Sequence, residues 1–349
     1  MSLNKGNFTR VLSREATTEI PLYCTGYPEM DFIDNYIKKY NLRIKNDNRL
    51  LNNKNYNIIK QMGFDAISLW DFRRGEGGFD LDQHKRVDGW GRIYYGDWYS
   101  WEGIFKNEKT ISEWKHLILP SNEKFSKLKE FLKKSDIELE YVISLPGLFE
   151  KTWQSMGFYH FAKSIKKNQK LIEIVIDFFF NYLNKLIIKL QKYGAKIFLI
   201  ADDYGYKNRT FIPKETWIEF FFNKYNVIID LIHKRKDYII LHSDGYISDM
   251  MDIFVDLGFD AIQSLESNAG VNIFSLFKKF KNRIGFIGNL DISLLSFGIP
   301  LQVKSYVVKL IENARKNNCS LAVSPTQQIN SKCQVENINA MIETTKIFK

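Results

Sequence analysis

The run Ile197-Phe-Leu-Ile-Ala201 passes straight into Asp202-Asp203-Tyr204. After Pro213 and a patterned stretch from Glu215 to His233, Tyr238-Ile-Ile-Leu241 passes into His242-Ser243-Asp244-Gly245. Both apolar runs have the length and composition of strands. The segment between them opens on a proline, favoured in the first turn of a helix, and is long enough for a helical crossover. Strand, helix, strand, with both strands stopping on polar residues, is the repeating unit of a parallel sheet.

The same alternation continues in both directions. Strands are expected at Ile20–Tyr23, Ala66–Trp70, Glu140–Leu145, Ile197–Ala201, Tyr238–Leu241, Ala261–Leu265, Ile284–Gly288 and Leu321–Ser324. Helices fill the gaps: Ser248 to Leu257 stops at Gly258, and Ser296-Phe-Gly-Ile-Pro300 opens a helix running to Lys316. Eight such units in 349 residues predict an α/β protein, a single (β/α)8 TIM barrel. Residues Gly75 to Gly103, rich in Gly, Asp, Trp and Tyr, read as a long insertion after strand two, with a short hairpin at Gly91–Tyr95. No repeat of fixed period and no linker divides the chain, so one domain is expected over 1–349.

Hydrophobic residues make up 45% of the chain and charged residues 26%, enough for a large core and ordinary for a soluble protein. The densest apolar run, Leu171 to Leu190, is interrupted by Glu173, Asp177, Lys185 and Lys189 and reads as a buried helix, so no membrane span is expected. Met1 to Arg14 has no apolar signal region, and Cys24, Cys319 and Cys333 are too few and scattered for a disulfide framework. A reducing cytoplasm is the expected location. The formal charge of +10 comes from lysines spread over helix faces, without a reader motif, which argues against nucleic acid as a partner.

The strand ends carry the chemistry. Strand two stops at Asp71-Phe-Arg73-Arg74, strand four at Asp202-Asp203 and strand five at His242-Ser-Asp244. Strand six stops at Glu266, strand seven at Asn289-Leu-Asp291, and strand eight at Ser324-Pro-Thr-Gln327. In a TIM barrel these ends converge on one mouth. Each residue also has a plainer reading. Asp202 or Asp203 can cap a following segment, His242 can be a satisfied core histidine, and Asn289 and Asp291 can be turn residues. Arg73 and Arg74 can pair with Glu76 or Asp80.

At these residues the chain resembles the uroporphyrinogen decarboxylase (URO-D) superfamily, which includes corrinoid-dependent methyltransferases. The similarity runs from about Glu19 to Ile347. It is clearest in Asp202-Asp-Tyr-Gly with Phe211-Ile-Pro, Leu241-His-Ser-Asp-Gly, Gly258-Phe-Asp-Ala-Ile-Gln, Gly288-Asn-Leu-Asp and Ser324-Pro. For the decarboxylase branch the resemblance implies a pyrrole-binding aspartate, here Asp71, and arginines for substrate carboxylates. The end of the first strand, Tyr23-Cys-Thr-Gly-Tyr-Pro-Glu29, supplies no arginine, and only Arg73, Arg74 and Arg92 lie nearby. For the methyltransferase branch it implies zinc held by His-x-Cys and a later Cys. Here His242 is kept, but Asp244 and Gln327 stand where the thiolates belong, which argues against a standard zinc site. A metal, if held, would fall to His242, Asp244 and Glu266.

The leading expectation is a divergent corrinoid-linked methyltransferase, with a cobamide (cobalamin) presented by a separate corrinoid protein and a small methyl donor or acceptor in the pocket. Asp71, Asp203, His242 and Glu266 are the expected catalytic residues. Tyr23, Arg73, Arg74, Trp90, Asp202, Asp244, Asn289, Asp291 and Gln327 are expected to bind substrate, with Tyr23, Trp70 and Trp90 excluding water. The alternative is a carboxy-lyase, a uroporphyrinogen decarboxylase of porphyrin biosynthesis centred on Asp71. A third reading is a non-catalytic tetrapyrrole- or corrinoid-binding subunit. Phe220, Phe221 and Phe222 in a row could feed the core or a homodimer contact.

Overall fold

The structure is a computed structural model that describes residues 6–15, 19–42, 55–73, 77–134 and 139–348. Eight parallel strands form the barrel in chain order: β1 (Tyr23–Cys24), β2 (Ala66–Leu69), β3 (Glu140–Pro146), β4 (Ile197–Ala201), β5 (Tyr238–Ser243), β6 (Ala261–Ser264), β7 (Gly285–Leu290) and β8 (Leu321–Pro325). A parallel bridge from Leu22 to Val323 joins the first strand to the last. Each expected strand is present. β1 starts later than expected because Pro21 has no N–H to give a ladder. Its carbonyl instead accepts the Val323 N–H at 2.9 Å.

Side chains alternate across each strand, and the alternation sorts them. Ala66, Val142, Ile197, Leu199, Ala201, Ile240, Ala261, Ile287 and Ala322 pack together inside the barrel, while Phe198, Ile200, Ile239 and Leu241 face the surrounding helices. The N-terminal helix Asn7–Leu12 joins the inner group through Phe8, Val11 and Leu12, all fully buried. Phe8 stacks on Tyr23 with ring centroids 5.1 Å apart. Glu140, at the start of β3, accepts the Phe8 and Thr9 amides at 3.0 and 3.2 Å. The helix thus closes the barrel at the end from which the strands start.

The insertion after β2 is larger than one hairpin. It is a four-stranded antiparallel meander of Gly78–Asp80, Lys85–Asp88, Arg92–Tyr95 and Trp98–Gly103. Asp88 organises one turn by accepting the Trp90 and Arg92 amides, each at 3.0 Å. The meander lies against helix Leu148–Met156, where the Tyr99 hydroxyl donates to the Gln154 carbonyl at 3.0 Å and the Phe105 amide to the Ser155 carbonyl at 2.9 Å. Every residue of that helix is buried as a result.

The stretch after Pro213 is helical throughout, with a π segment Ile218–Phe222 between Lys214–Trp217 and Asn223–His233. Phe220 and Phe221 are buried and Phe222 packs half-buried on the same core, so all three serve the chain's own interior. Gly258, at φ 91°, ends helix Met251–Leu257 as expected. Among the described residues no helix is long and apolar enough to cross a membrane.

Candidate active site

The inward alternation of β4 and β5 continues past their last residues. Ile197, Leu199 and Ala201 point inward, so Asp203 does too; Ile240 points inward, and His242 and Asp244 follow. These three side chains meet at the mouth. His242 Nε2 lies 3.9 Å from Asp203 Oδ1 and 3.8 Å from Asp244 Oδ1, and one ligand atom from each residue falls within 4.8 Å of the others. His242 is 7% exposed. Its Nδ1 is held by Gln263 Oε1 on β6. Asp244 Oδ1 is buried and meets no hydrogen-bond partner at normal distance, although the Ser264 hydroxyl is near enough to pull the carboxyl down slightly. Burial pushes the Asp244 carboxyl up to about 6, the Asp203 and Glu266 charges push the same way, and His242 pulls it back.

Two glycines hold the loops in place. The loop after β4 and the loop after β5 lie back to back, with the Tyr246 amide on the Tyr206 carbonyl at 3.0 Å. A Cβ on Gly205 would come within 2.4 Å of the Tyr246 nitrogen. One on Gly245, at φ +79°, would come within 2.4 Å of the Gly205 carbonyl carbon. That contact lets Asp203 Oδ1 accept the Asp244 amide at 2.9 Å, fixing two carboxylates beside one imidazole.

Asp202 has the opposite role. It is fully buried and faces the helix after β3, where it accepts the Phe149 and Glu150 amides at 3.0 and 2.6 Å. It also accepts the Tyr204 hydroxyl at 2.8 Å and the Tyr225 hydroxyl. A carboxylate on the first amides of a helix satisfies orphan donors and complements the helix dipole. Gly147 makes room, since a Cβ there would lie 2.0 Å from Asp202 Cγ. Burial pushes the Asp202 carboxyl up to about 7, against the pull of the Tyr225 hydroxyl.

A model of the family "Uroporphyrinogen decarboxylase (URO-D)" matches residues 153–348, more than half of the chain. The chain belongs to the uroporphyrinogen decarboxylase family. Among solved structures, this URO-D chain is similar to a methyltransferase from Methanosarcina mazei, at 14% identity and TM-score 0.71, over 98% of each chain. It also matches a B12-independent methionine synthase from a Shewanella species in complex with selenomethionine. That likeness has 14% identity and TM-score 0.48, over 81% of this chain and 83% of the other. No curated protein sequence matches significantly.

Several residues expected at the site of this URO-D barrel lie elsewhere. Tyr23 is wholly inside the barrel against Phe8, and Trp90 is 1% exposed, packed on Phe179 and Tyr182 of helix Gln169–Lys192; both are core. Asn289 spends its amide on structure, donating to the Leu265 carbonyl at 2.6 Å and accepting the Tyr306 hydroxyl. Asp291 caps helix Ile292–Phe297 by accepting the Ser293 amide at 2.7 Å. Glu266 turns one oxygen to the Gly245 amide at 2.8 Å, and Asp203 takes its place as the third member of the cluster. Asp71 is nearly buried and close to Tyr56, whose hydroxyl burial and the Asp71 charge push up. Arg73 reaches Glu150 at 4.0 Å, and its other expected partner Glu76 lies, like Arg74, outside the described residues. Gln327 stands half-buried in the loop after β8.

The three cysteines do not join the cluster. Cys24 sits fully buried in β1 with its thiol on the Gly26 carbonyl, Cys319 lies before β8, and Cys333 lies beyond it beside Ser296. The thiolate zinc centre implied by the methyltransferase branch does not fit these residues. One imidazole and two carboxylates do fit a divalent cation that accepts nitrogen and oxygen ligands. The residue that sequence reading missed is Gln263. Its signal was present, because it shares the inward side of β6 with Ala261 and follows it by two positions.

Proposed function

We propose that this URO-D family chain is a methyltransferase whose mouth holds a divalent cation on Asp203, His242 and Asp244 and passes a methyl group between a cobamide and a small substrate. The observation that carries the proposal is the buried, unbonded Asp244 Oδ1 set 3.8 Å from His242 Nε2. A buried carboxylate oxygen without a donor is costly unless something else occupies the gap. A cation there would supply Lewis-acid polarisation of an oxygen or nitrogen on the substrate. The chain's own residues do the rest. Asp203 and Asp244 set the charge at the mouth, and His242 points a nitrogen at the same space.

The cobamide on a separate protein is proposed from the family resemblance, and the full-length likeness to a protein named a methyltransferase is consistent with it. The decarboxylase reading fares less well. Arg92 already pairs with Asp88 at 2.6 Å and Arg73 faces Glu150 at 4.0 Å, so two arginines expected to meet substrate carboxylates meet the chain's own. The test is elemental analysis with calorimetric titration of Zn2+ and Co2+, followed by spectroscopic titration with methylcobalamin. One cation per chain, bound about a hundredfold more weakly by Asp244→Ala, supports the proposal. Absence of any cation, together with carbon dioxide release from a porphyrinogen, overturns it.

A further inference from the structure

We propose that Gln263 is a positioning residue that keeps the proton of neutral His242 on Nδ1, so that the Nε2 lone pair faces Asp203 and Asp244. The inference rests on reading that cluster as a cation site, and it explains why an amide side chain is buried beneath it.

The argument begins with a carbonyl that can only accept. Gln263 is fully buried, and one end of its amide lies 3.3 Å from the Thr326 backbone oxygen and 3.1 Å from Thr25 Oγ1. A backbone carbonyl has no hydrogen to give, so the end that faces it must be the NH2 group. The other end is therefore the oxygen, and it meets His242 Nδ1. An amide oxygen also only accepts, so Nδ1 must carry the hydrogen. A neutral imidazole with its proton on Nδ1 has a bare lone pair on Nε2.

The Thr25 hydroxyl supports the same orientation. Thr25 Oγ1 lies 3.0 Å from Ser324 Oγ and 3.4 Å from the Pro325 carbonyl. Its hydrogen has acceptors there, which leaves a lone pair for the Gln263 amide. The orientation thus passes from the Pro325 and Thr326 backbone carbonyls, where β8 ends, through Thr25 and Gln263 to one nitrogen of His242. Without this chain the pull runs the other way. Two carboxylates, 3.8 and 3.9 Å from Nε2, would draw the proton onto that nitrogen and leave a donor where a ligand is needed. Flipping Gln263 would set its oxygen against the Thr326 oxygen and an NH2 against Nδ1. The Nδ1–H form is therefore expected to exceed the other by about tenfold or more.

The tautomer is directly measurable. The chain has five histidines, so protein labelled with 15N-histidine gives few ring signals, and His242 is assigned by its loss in His242→Asn. At mildly alkaline pH, with no cation added, two-bond 15N–1H correlation should show a protonated Nδ1 and a bare Nε2. Gln263→Leu should lose that preference. Gln263→Glu should keep it, because a carboxyl group can turn its O–H to the Thr326 carbonyl, as the NH2 does, and still offer its other oxygen to Nδ1. A proton on Nε2 in the wild-type protein overturns the proposal without any variant, so a folding defect in Gln263→Leu cannot shield it. The same tautomer in a folded Gln263→Leu overturns it too.

Calorimetric titration with Co2+ then separates this inference from the proposed function. Affinity about ten- to a hundredfold weaker in Gln263→Leu and near wild type in Gln263→Glu supports both. A held tautomer in a wild-type protein that binds no cation sinks the cation site and leaves the role of Gln263 standing. Equal Co2+ affinity in wild type and Gln263→Leu overturns the positioning role and spares the site.

Discussion

Asp202 and Asp203 are chemically identical neighbours with different tasks. Asp202 holds two helix amides and two tyrosine hydroxyls in the dry space between barrel and helices, and Asp203 faces His242 at the mouth. Removing Asp202 leaves buried donors unpaired, each at a cost of about 1–3 kcal/mol. Asp202→Ala should therefore lower stability in urea denaturation by at least ~3 kcal/mol. Asp203→Ala, at a part-exposed site, should stay within ~1 kcal/mol of wild type yet lose cation binding. Equal losses of stability would show that both aspartates are structural. The sequence placed both at a strand end but could not rank them by composition. Strand parity could have, because the inward series Ile197, Leu199, Ala201 selects Asp203. The same parity separates His242, Asp244 and Gln263 from their outward neighbours. What parity could not show was the pairing of Asn289 with Tyr306, or of Glu266 with Gly245, since those bonds depend on how loops fold in space.

Among elements, the eight strands were legible because each is a short apolar run bounded by polar residues. The meander was not. Its last strand, Trp98–Gly103, is exposed along most of its length, so no buried face imprints a clean alternation on it. The loops after β4 and β5 sit between these extremes, since their glycines are visible in the sequence but their mutual contact is not. Gly245 has both a left-handed φ and a carbonyl where a Cβ would go, whereas Gly96, at φ +56° in a meander turn, has nothing within 4 Å. Gly96→Ala should cost only about 1 kcal/mol, the strain of the backbone alone. Gly245→Ala should cost clearly more and also weaken cation binding, because Asp244 would move with its loop. Thermal denaturation and Co2+ titration of the two variants check this; a Gly245→Ala protein that binds Co2+ normally would mean the close approach of the loops does not position the site.

For the whole molecule, the two ends of the barrel divide the work, with the proposed chemistry at the mouth and stability at the base. At the base His233 Nε2 pairs with Asp260 Oδ2 at 3.0 Å, and that carboxylate also accepts the Ile239 amide at 2.8 Å, tying helix Asn223–His233 to the starts of β5 and β6. The hydrogen bond to Asp260 holds the His233 imidazole above its ordinary value. A raised value in the folded state means the pair's contribution is complete below about pH 6.5 and is lost as pH rises through the folded value. Melting temperature should therefore fall on going from mildly acidic to mildly alkaline pH, and His233→Gln should flatten that slope. A slope unchanged in the variant would assign it to other groups.

The N-terminal helix Asn7–Leu12 belongs to the same end. Six residues are too few to display a helical period, so the sequence showed only a charged stretch over Met1 to Arg14, yet Phe8, Val11 and Leu12 fill the base of the barrel. A buried aromatic truncated to alanine loses its transfer energy and leaves a cavity, together about 3–5 kcal/mol. Phe8→Ala should therefore be among the more destabilising single changes in the chain. Because Phe8 and Tyr23 plug the end opposite the mouth, the folded fraction of Phe8→Ala should still bind Co2+ with wild-type affinity. Denaturation and titration of one preparation give both readings. Weak destabilisation would mean the helix is not part of the core, and a large loss of affinity would mean that packing at the base sets the geometry of the mouth.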